Sequence, residues 1–376
     1  MILPIVLGLM LVLVVLWDAF ETVVLPRRVT RRFRLARAFY RSIWPPWRAT
    51  ARVIKNLKLR ETFLSFFGPL SLLLLFVLWA ALLVLAFGLM YYGAAAYDAK
   101  PFPFWTAAYM SGTTFFTLGL GDVTPHTNVE RVLAVCECGL GFGFLALVLS
   151  YLPVIYQAFS RREVNVVLLD ARAGSPPTAT ELLRRHTGSQ GMDALQVLLR
   201  DWERAAAEIL ESHISYPVVS YFRSQHNNES WLASLAALLD ASALLISSVD
   251  NACARQARLT FAMCRHTVVD LAQVFHAPPH EMRADRLPPQ ERARLHKALE
   301  QAGFQILDTP AAQSKFDTLR SMYEPYLQAL ADSLYLELPP WILAKEITDN
   351  WKTSAWGRIT GYTTPIREED AATDDH

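Results

Sequence analysis

Long uncharged runs dominate the first 160 residues of the chain and are absent from the rest. A helix needs about 20 apolar residues to cross a bilayer. Three runs of 35, 21 and 23 residues contain no charge: Phe63 to Tyr97, Pro101 to Gly121 and Cys138 to Ser160. A fourth apolar run, from Ile2 to Leu25, is interrupted only by Asp18 and Glu21. The pattern predicts a membrane protein with at least three segments that could span the bilayer.

Charge becomes frequent from Arg161 onward, and the apolar residues there recur at helical spacing. This half predicts a helical, water-soluble region. Val164 to Asp170 could form a short strand, but no Gly-x-Gly-x-x-Gly pattern follows it to bind a nucleotide. The overall hydrophobic content of 52% fits a membrane protein, whereas the net charge of +1 says little about partners.

A strongly basic segment separates the first two apolar runs. Between Pro26 and Thr62 the chain has 12 Lys or Arg and a single acid, Glu61. By the positive-inside rule this segment is cytoplasmic, which places the N-terminus outside. Trp44 and Trp47 fit an interfacial segment that contacts anionic lipid headgroups. A nucleic-acid-binding patch is disfavoured because the segment lies between two spans.

The two acids of the first span are expected to pair with basic residues at the inner interface. Asp18 and Glu21 precede Arg27 and Arg28 closely in the chain. Such pairing would offset the cost of holding a carboxylate near the bilayer.

The run from Pro101 to Gly121 allows two readings. By hydropathy alone it is a fourth crossing helix, which would place the C-terminal half outside. Its last third, however, is rich in Gly and β-branched residues that weaken a helix. A half-length helix from Pro103 to Thr114 followed by non-helical backbone fits better. Such backbone is tolerated at membrane depth only inside protein or along a water-filled cavity, so a re-entrant loop predicts a pore.

The segment after this short helix has the chemistry of an ion filter. A dehydrated cation needs oxygens in place of its water shell, and a ring of backbone carbonyls supplies them. Gly119 and Gly121 are spaced so that every second residue can adopt positive φ. Thr117 can add its hydroxyl, and Asp122 can concentrate cations at the outer mouth.

The segment Thr117-Leu118-Gly119-Leu120-Gly121-Asp122 resembles the filter signature of the potassium channel superfamily. The resemblance covers Leu64 to Phe159, and it implies a pore helix, an outer helix and an inner helix. It also implies a homotetramer that conducts K+ without any cofactor other than the permeant ion. The chain is not expected to be an enzyme.

Two departures from the common family pattern bear on selectivity. Leu120 replaces the usual Tyr, and Phe116 stands where a second Thr is frequent. Leu120 cannot bond the pore helices, so packing is expected to hold the filter. A weakly selective cation channel and a non-conducting membrane sensor or scaffold therefore remain alternatives.

The third span carries candidate gating residues. The resemblance implies a hinge at Gly141, although small residues such as Gly139, Gly141 and Gly143 also favour close helix packing. Pro153 is expected to bend the same helix. Glu137 could bond the pore helix behind the filter, or it could lie among outer headgroups near Arg131.

The C-terminal half contains no compact metal-binding or catalytic pattern. Its Cys and His residues lack metal-ligand spacing, which favours buried thiols and surface imidazoles: Cys253, Cys264, His266, His276 and His280. All four cysteines of the chain are expected to be reduced. The role left for this half is assembly of the tetramer or sensing of an unknown cytoplasmic ligand.

The fold class expected is an all-α membrane protein, in a cell membrane and of prokaryotic type. Five segments are expected. They are residues 1–25 (N-terminal transmembrane helix), 26–62 (basic linker), 63–160 (pore domain), 161–366 (helical cytoplasmic domain) and 367–376 (disordered acidic tail).

Overall fold

The computed structural model describes residues 2–25, 34–95, 103–226, 228–249, 253–280 and 285–343. The regular secondary structure in these ranges is helical, which confirms the all-α class. The helices are α1 (Ile2–Ala19), α2 (Leu35–Val53), α3 (Leu57–Ser65), α4 (Phe67–Ala95), α5 (Phe104–Phe115), α6 (Asn128–Ala173), α7 (Ala179–Arg184), α8 (Gly188–Ser215), α9 (Trp231–Ser247), α10 (Ala254–Val274), α11 (Pro289–Gln301), α12 (Pro310–Ser321) and α13 (Glu324–Leu334). A π-helical turn, Phe20–Val24, extends α1, and a 3₁₀ turn, Pro217–Tyr221, follows α8.

Three helices in the described residues are long and apolar enough to cross a membrane. The first is α1 with its π-helical turn, the second is the stretch that α3 and α4 form together, and the third is α6. The expected spans and the extra N-terminal helix are therefore confirmed. Helix α5, with 12 residues, is too short to cross and fits the expected half-length helix.

The inner span is much longer than the sequence predicts. Helix α6 has 46 residues, so it extends for about 69 Å, more than twice the hydrocarbon thickness. It begins at a capping box formed by Thr127 and Glu130 and continues through Pro153. The short strand that the sequence allowed at Val164 to Asp170 is not formed. That segment is helical because Val166 and Leu169 are buried in the core of the C-terminal helices, and this packing overrides β-propensity.

The N-terminal helix α1 packs along α4, the outer helix of the expected pore domain. A Cβ on Gly8 would lie 2.4 Å from the Ala86 carbonyl oxygen, so only glycine allows this approach. The fully buried Asp18 accepts hydrogen bonds from the Ala36 backbone N–H and the Trp79 indole, both at 3.0 Å. It therefore joins α1, α2 and α4.

The other acid of the first span has a basic partner. Glu21 accepts a hydrogen bond from Trp17 and lies 3.6 Å from the guanidinium of Arg34. The expected partners Arg27 and Arg28 lie outside the described residues. Arg34 holds the end of α1 against the start of α2 instead.

The linker helices α2 and α3 pack on the C-terminal helices, α7 to α13. This packing corrects the expectation that Trp44 contacts lipid headgroups. Trp44 is only 9% exposed and packs on Phe67 and Tyr221, and its indole N–H donates to the Ser333 carbonyl at 2.9 Å. This tryptophan is therefore enclosed by protein and does not reach lipid headgroups. Local sequence could not show this, because three of its contacts come from distant parts of the chain.

The C-terminal helices surround α9, whose 17 residues are buried apart from one. Inside this core, Arg286 donates to the fully buried Asp240 at 2.7 Å, and the Tyr323 hydroxyl donates to the same carboxylate at 2.6 Å. Arg320 and Glu324 extend this ionic network. Because its buried charges are paired, the network ties α9 to α12 and α13.

Candidate ion-conduction site

The short helix α5 is held between α4 and α6. A Cβ on Gly88 would lie 3.0 Å from the Ala108 Cα, so α4 and α5 are in close backbone contact. The Ser111 hydroxyl of α5 donates to Glu137 Oε1 of α6 at 2.5 Å and lies 2.8 Å from the Val84 carbonyl of α4. One buried hydroxyl therefore joins all three helices.

The backbone after α5 alternates in handedness. Thr117, Gly119 and Gly121 have φ of +56°, +56° and +77°, whereas Leu118 and Leu120 between them are not in this region. The Leu118 N–H donates to the Thr113 carbonyl at 2.8 Å, which fixes the start of the segment. This alternation can turn successive carbonyl groups toward one side, as a cation site requires.

Sequence reasoning anticipated positive φ only at the glycines. Thr117 is β-branched, and positive φ is unusual for such a residue because its Cβ crowds the backbone. Strained backbone of this kind persists only when its surroundings impose it, and it is concentrated at functional sites. No sequence signal distinguishes this threonine from one in extended backbone.

A polar bond holds the outer end of the segment. The Tyr109 hydroxyl of α5 donates to Asp122 Oδ2 at 2.9 Å. Besides the packing that is expected to hold the filter, Tyr109 therefore supplies a polar contact that Leu120 cannot make. The spacing of 13 residues is too long for a local motif, so Tyr109 was missed.

The apolar side chains of the segment are open in the single chain. Phe116, Leu118 and Leu120 are 59%, 62% and 63% exposed. Side chains of this kind need partners from outside the chain, either lipid or further protein.

Glu137 lies behind α5 and is fully buried. Besides Ser111 it faces Tyr91 of α4, and no sequence signal connects either residue with Glu137. The alternative location among outer headgroups near Arg131 is wrong, because the carboxyl group lies inside the protein. Among the described residues, its contacts supply no cation.

The three glycines of α6 have different surroundings. A Cβ on Gly141 would lie 2.0 Å from the Phe115 carbonyl oxygen, whereas Gly139 and Gly143 have no atom within 4 Å of that position. Close packing on the end of α5 therefore requires glycine at 141. The helix is continuous through Gly141 and Pro153, and a hinge at either residue stays a prediction.

A buried arginine joins the lower part of α6 to the C-terminal helices. Arg162 is 2% exposed and donates to the carbonyls of Val219 and Phe222 at 2.9 and 2.8 Å. Phe222 reaches the outer helix, because a Cβ on Gly68 would lie 2.6 Å from its ring. The turn after α8 therefore contacts both the inner and the outer helix, a connection that the sequence did not indicate.

Residues 72–157 match the family model Ion_trans_2, described as "Ion channel". The matched segment comprises most of α4, the whole of α5, the filter segment and the first two thirds of α6. The match supports a pore domain of the potassium channel superfamily in this segment. The resemblance seen in the sequence is confirmed for this part of the chain.

A curated relative matches about half of the chain. The chain is 24% identical over 185 residues to the "Uncharacterized membrane protein YdjJ" of Bacillus subtilis (strain 168). This alignment covers 47% of the chain and 53% of that protein, so the chain spans about half the length of the relative it matches. No solved structure matches. The two findings support ion transport in a membrane setting.

The Cys and His residues outside the pore domain are dispersed. Cys253 and Cys264 are buried, and burial raises the pKa of the Cys264 thiol to about 12. His266 and His280 lie near Asp270 and Asp332, at 3.8 and 3.2 Å. In the part of the chain that the structure describes, no three potential metal ligands come together.

Proposed function

We propose that four copies of this chain form a K+-selective channel in a cell membrane. K+ passes in single file between the backbone carbonyls of residues 117–120. The alternation of left-handed φ at Thr117, Gly119 and Gly121 carries this proposal, because it gives a short segment the means to direct successive oxygens at an axis.

The exposed apolar face of α6 in a single chain supports the fourfold assembly. Each chain supplies one filter strand, which cannot surround an ion. In the most apolar 18-residue stretch of α6 only 11% of residues are buried, and Phe142 is 70% exposed. Further copies of the pore domain cover this face, and lipid covers the remaining apolar surface.

The orientation follows from the basic linker. The charge excess of residues 26–62 supports a cytoplasmic location for that segment and for the C-terminal helices, with the N-terminus outside. The C-terminal helices act on the pore through Arg162, and Gly141, Pro153 and Glu137 belong to the moving or supporting parts of the gate.

A weakly selective cation channel is the second candidate. Leu120 has no hydroxyl with which to fix the filter to neighbouring helices. The reversal potential in mixed K+ and Na+ separates the two candidates. A strong preference for K+ supports the first, and near-equal permeability supports the second.

Ion flux from purified protein in liposomes tests conduction. Gly119→Ala adds a Cβ where φ is +56°, so flux is expected to be lost. Gly112→Ala is the matched control, because its Cβ would make only an ordinary contact of 3.8 Å with Val84. If the wild-type chain passes no ion under any condition, the non-conducting sensor or scaffold replaces the channel.

Coupling through Arg162 has a test of its own. Arg162→Met removes the bonds to Val219 and Phe222, whereas Arg161→Met alters an exposed neighbour of equal charge. We expect the first variant to change open probability with unit conductance preserved. Equal effects of the two variants would show that charge near the inner membrane surface, and not the buried bonds, is responsible.

A further inference from the structure

The tyrosine that ends α13 is surrounded by arginines from the linker. The guanidinium carbons of Arg48, Arg52 and Arg60 lie 5.9, 5.9 and 5.6 Å from the centre of the Tyr335 ring. We call these four residues the Tyr335 cluster. An aromatic ring has two faces, so three cations within about 6 Å of it exceed one per face.

The carboxylates nearby do not balance this charge. Glu337 pairs with Arg60 at 2.7 Å and is itself well exposed. Arg48 bonds only the backbone carbonyl of Asp332, and the carboxylate of Asp332 is engaged by Gln328 and His280. Neither Arg48 nor Arg52 therefore makes an ion pair with a carboxylate of the described residues.

The surroundings of Arg48 act on its guanidinium in both directions. Burial lowers the pKa of this group and the positive charge of Arg52 lowers it further, whereas the Asp332 carboxylate and Tyr335 oppose this effect. An anion placed between the two groups would relieve this repulsion.

The backbone conformation at Tyr335 fixes the position of its ring. Tyr335 has φ of +54°, a left-handed conformation that is uncommon for an aromatic residue. Arg223 stabilises it by donating to the Leu334 and Tyr335 carbonyls at 2.8 and 2.9 Å. The ring position is therefore built by several elements and does not depend on a flexible side chain.

A cavity of about 1270 Å³ lies next to Glu337, the partner of Arg60. Lys58, Arg223, Glu61 and Glu229 also line it, whereas the four residues of the Tyr335 cluster do not. Arg52 is exposed, so the cluster is open to solvent without the cavity.

We propose that the Tyr335 cluster binds an anion that carries phosphate groups. Guanidinium groups bind phosphate oxygens in pairs of parallel hydrogen bonds, which lysines cannot do. Bound there, the anion clamps α2 and α3 to the end of α13. Since α3 leads directly into the outer helix of the pore domain, the site connects a ligand to the pore.

Two sources supply this chemistry, a soluble phosphorylated molecule and an anionic lipid headgroup. The test uses the full chain in phosphatidylcholine nanodiscs with added pyrophosphate, and in nanodiscs containing phosphatidylglycerol. Hydrogen exchange of the backbone amides of residues 332–338 reports occupancy. The readout is independent of conduction, so the proposed K+ flux can fail without affecting it.

The variant Arg48→Gln/Arg52→Gln is compared with Arg41→Gln/Lys55→Gln, which removes the same charge from exposed positions on the same linker. We expect pyrophosphate to slow exchange in the wild type and the control, with binding about tenfold weaker in the first variant. Arg52→Gln alone serves if the double variant does not fold, because Arg52 makes no ion pair with described residues.

Protection by pyrophosphate identifies a soluble ligand. Protection by phosphatidylglycerol alone, with the same dependence on Arg48 and Arg52, identifies a lipid headgroup. Either result supports the site. Absence of protection in both settings, or equal loss in the two double variants, overturns it.

Discussion

Helices α9 and α6 are both apolar, yet one is covered by its own chain and the other is not. All but one of the 17 residues of α9 are buried, whereas only 11% of the most apolar stretch of α6 is. Each also carries a fully buried carboxylate, Asp240 in α9 and Glu137 in α6. Apolar sequence alone therefore does not reveal a residue's surroundings, because the same composition fits a soluble core and a membrane pore.

Replacing the two carboxylates, Asp240 and Glu137, should give the largest difference in the free energy of unfolding. Asp240→Asn removes the carboxylate that Arg286 contacts at 2.7 Å and leaves this buried arginine with Glu324 alone, at 3.3 Å. We expect a loss of about 3–5 kcal/mol in the free energy of unfolding. Glu137→Gln leaves no cation unpaired among the described residues, and we expect a loss below about 1 kcal/mol. Chemical denaturation of the full chain in detergent, followed by tryptophan fluorescence, measures both. Equal losses would mean that the two carboxylates have the same role.

Leucines in the two helices provide the second contrast. Leu238→Ala opens a cavity in the core around α9 and should cost about 2–5 kcal/mol. Leu145→Ala, at a position 55% exposed in one chain, should leave the unfolding of the C-terminal helices unchanged and weaken the tetramer. Denaturation and native mass spectrometry provide the two readouts. A Leu145→Ala tetramer as stable as wild type would show that this face of α6 contacts lipid.

The junction between the two regions should respond to acid. His213 is fully buried between Arg162, the Ile209 carbonyl and the Trp231 ring, and burial followed by the charge of Arg162 holds its pKa well below the usual value. As pH falls below about 6.5, the unfolded chain binds a proton at this position and the folded chain does not. Stability contributed by the neutral imidazole is therefore lost as pH falls.

The free energy of unfolding should fall by up to about 1.4 kcal/mol for each pH unit because of His213. His213→Gln removes this contribution, so the difference in stability between wild type and variant should shrink with acidification between about pH 7 and pH 5.5. Denaturation at several pH values measures it. A difference that is constant across this range would show that His213 does not titrate differently in the two states.

The smallest effect is expected at the filter. Tyr109→Phe removes one exposed hydrogen bond to Asp122. Unfolding should barely change, while the filter loses its tie to α5. Single-channel recording should show shorter openings, and Tyr92→Phe on α4 is the control. Unchanged openings would mean that the subunit assembly alone holds the filter.

Local features of this molecule were predictable, and those set by distant contacts were not. The spans follow from the length of uncharged runs, and the positive φ at Gly119 and Gly121 follows from the residue type, because both depend on local sequence. The left-handed Thr117, the Tyr109 tie and the burial of Trp44 depend on residues far away in the chain. The continuation of α6 past residue 160 was missed for the same reason, since only tertiary packing makes Val164 to Asp170 helical.

Helix α6 is continuous from the pore domain into the C-terminal helices. From Gly141 to Ala173 there are 32 residues, or about 48 Å of helix. A hinge at Gly141, as proposed above, that turned by about 5° would displace the far end by about 4 Å, roughly three quarters of the rise of one helical turn. A small angular change beside the filter segment would then correspond to a measurable displacement among the C-terminal helices.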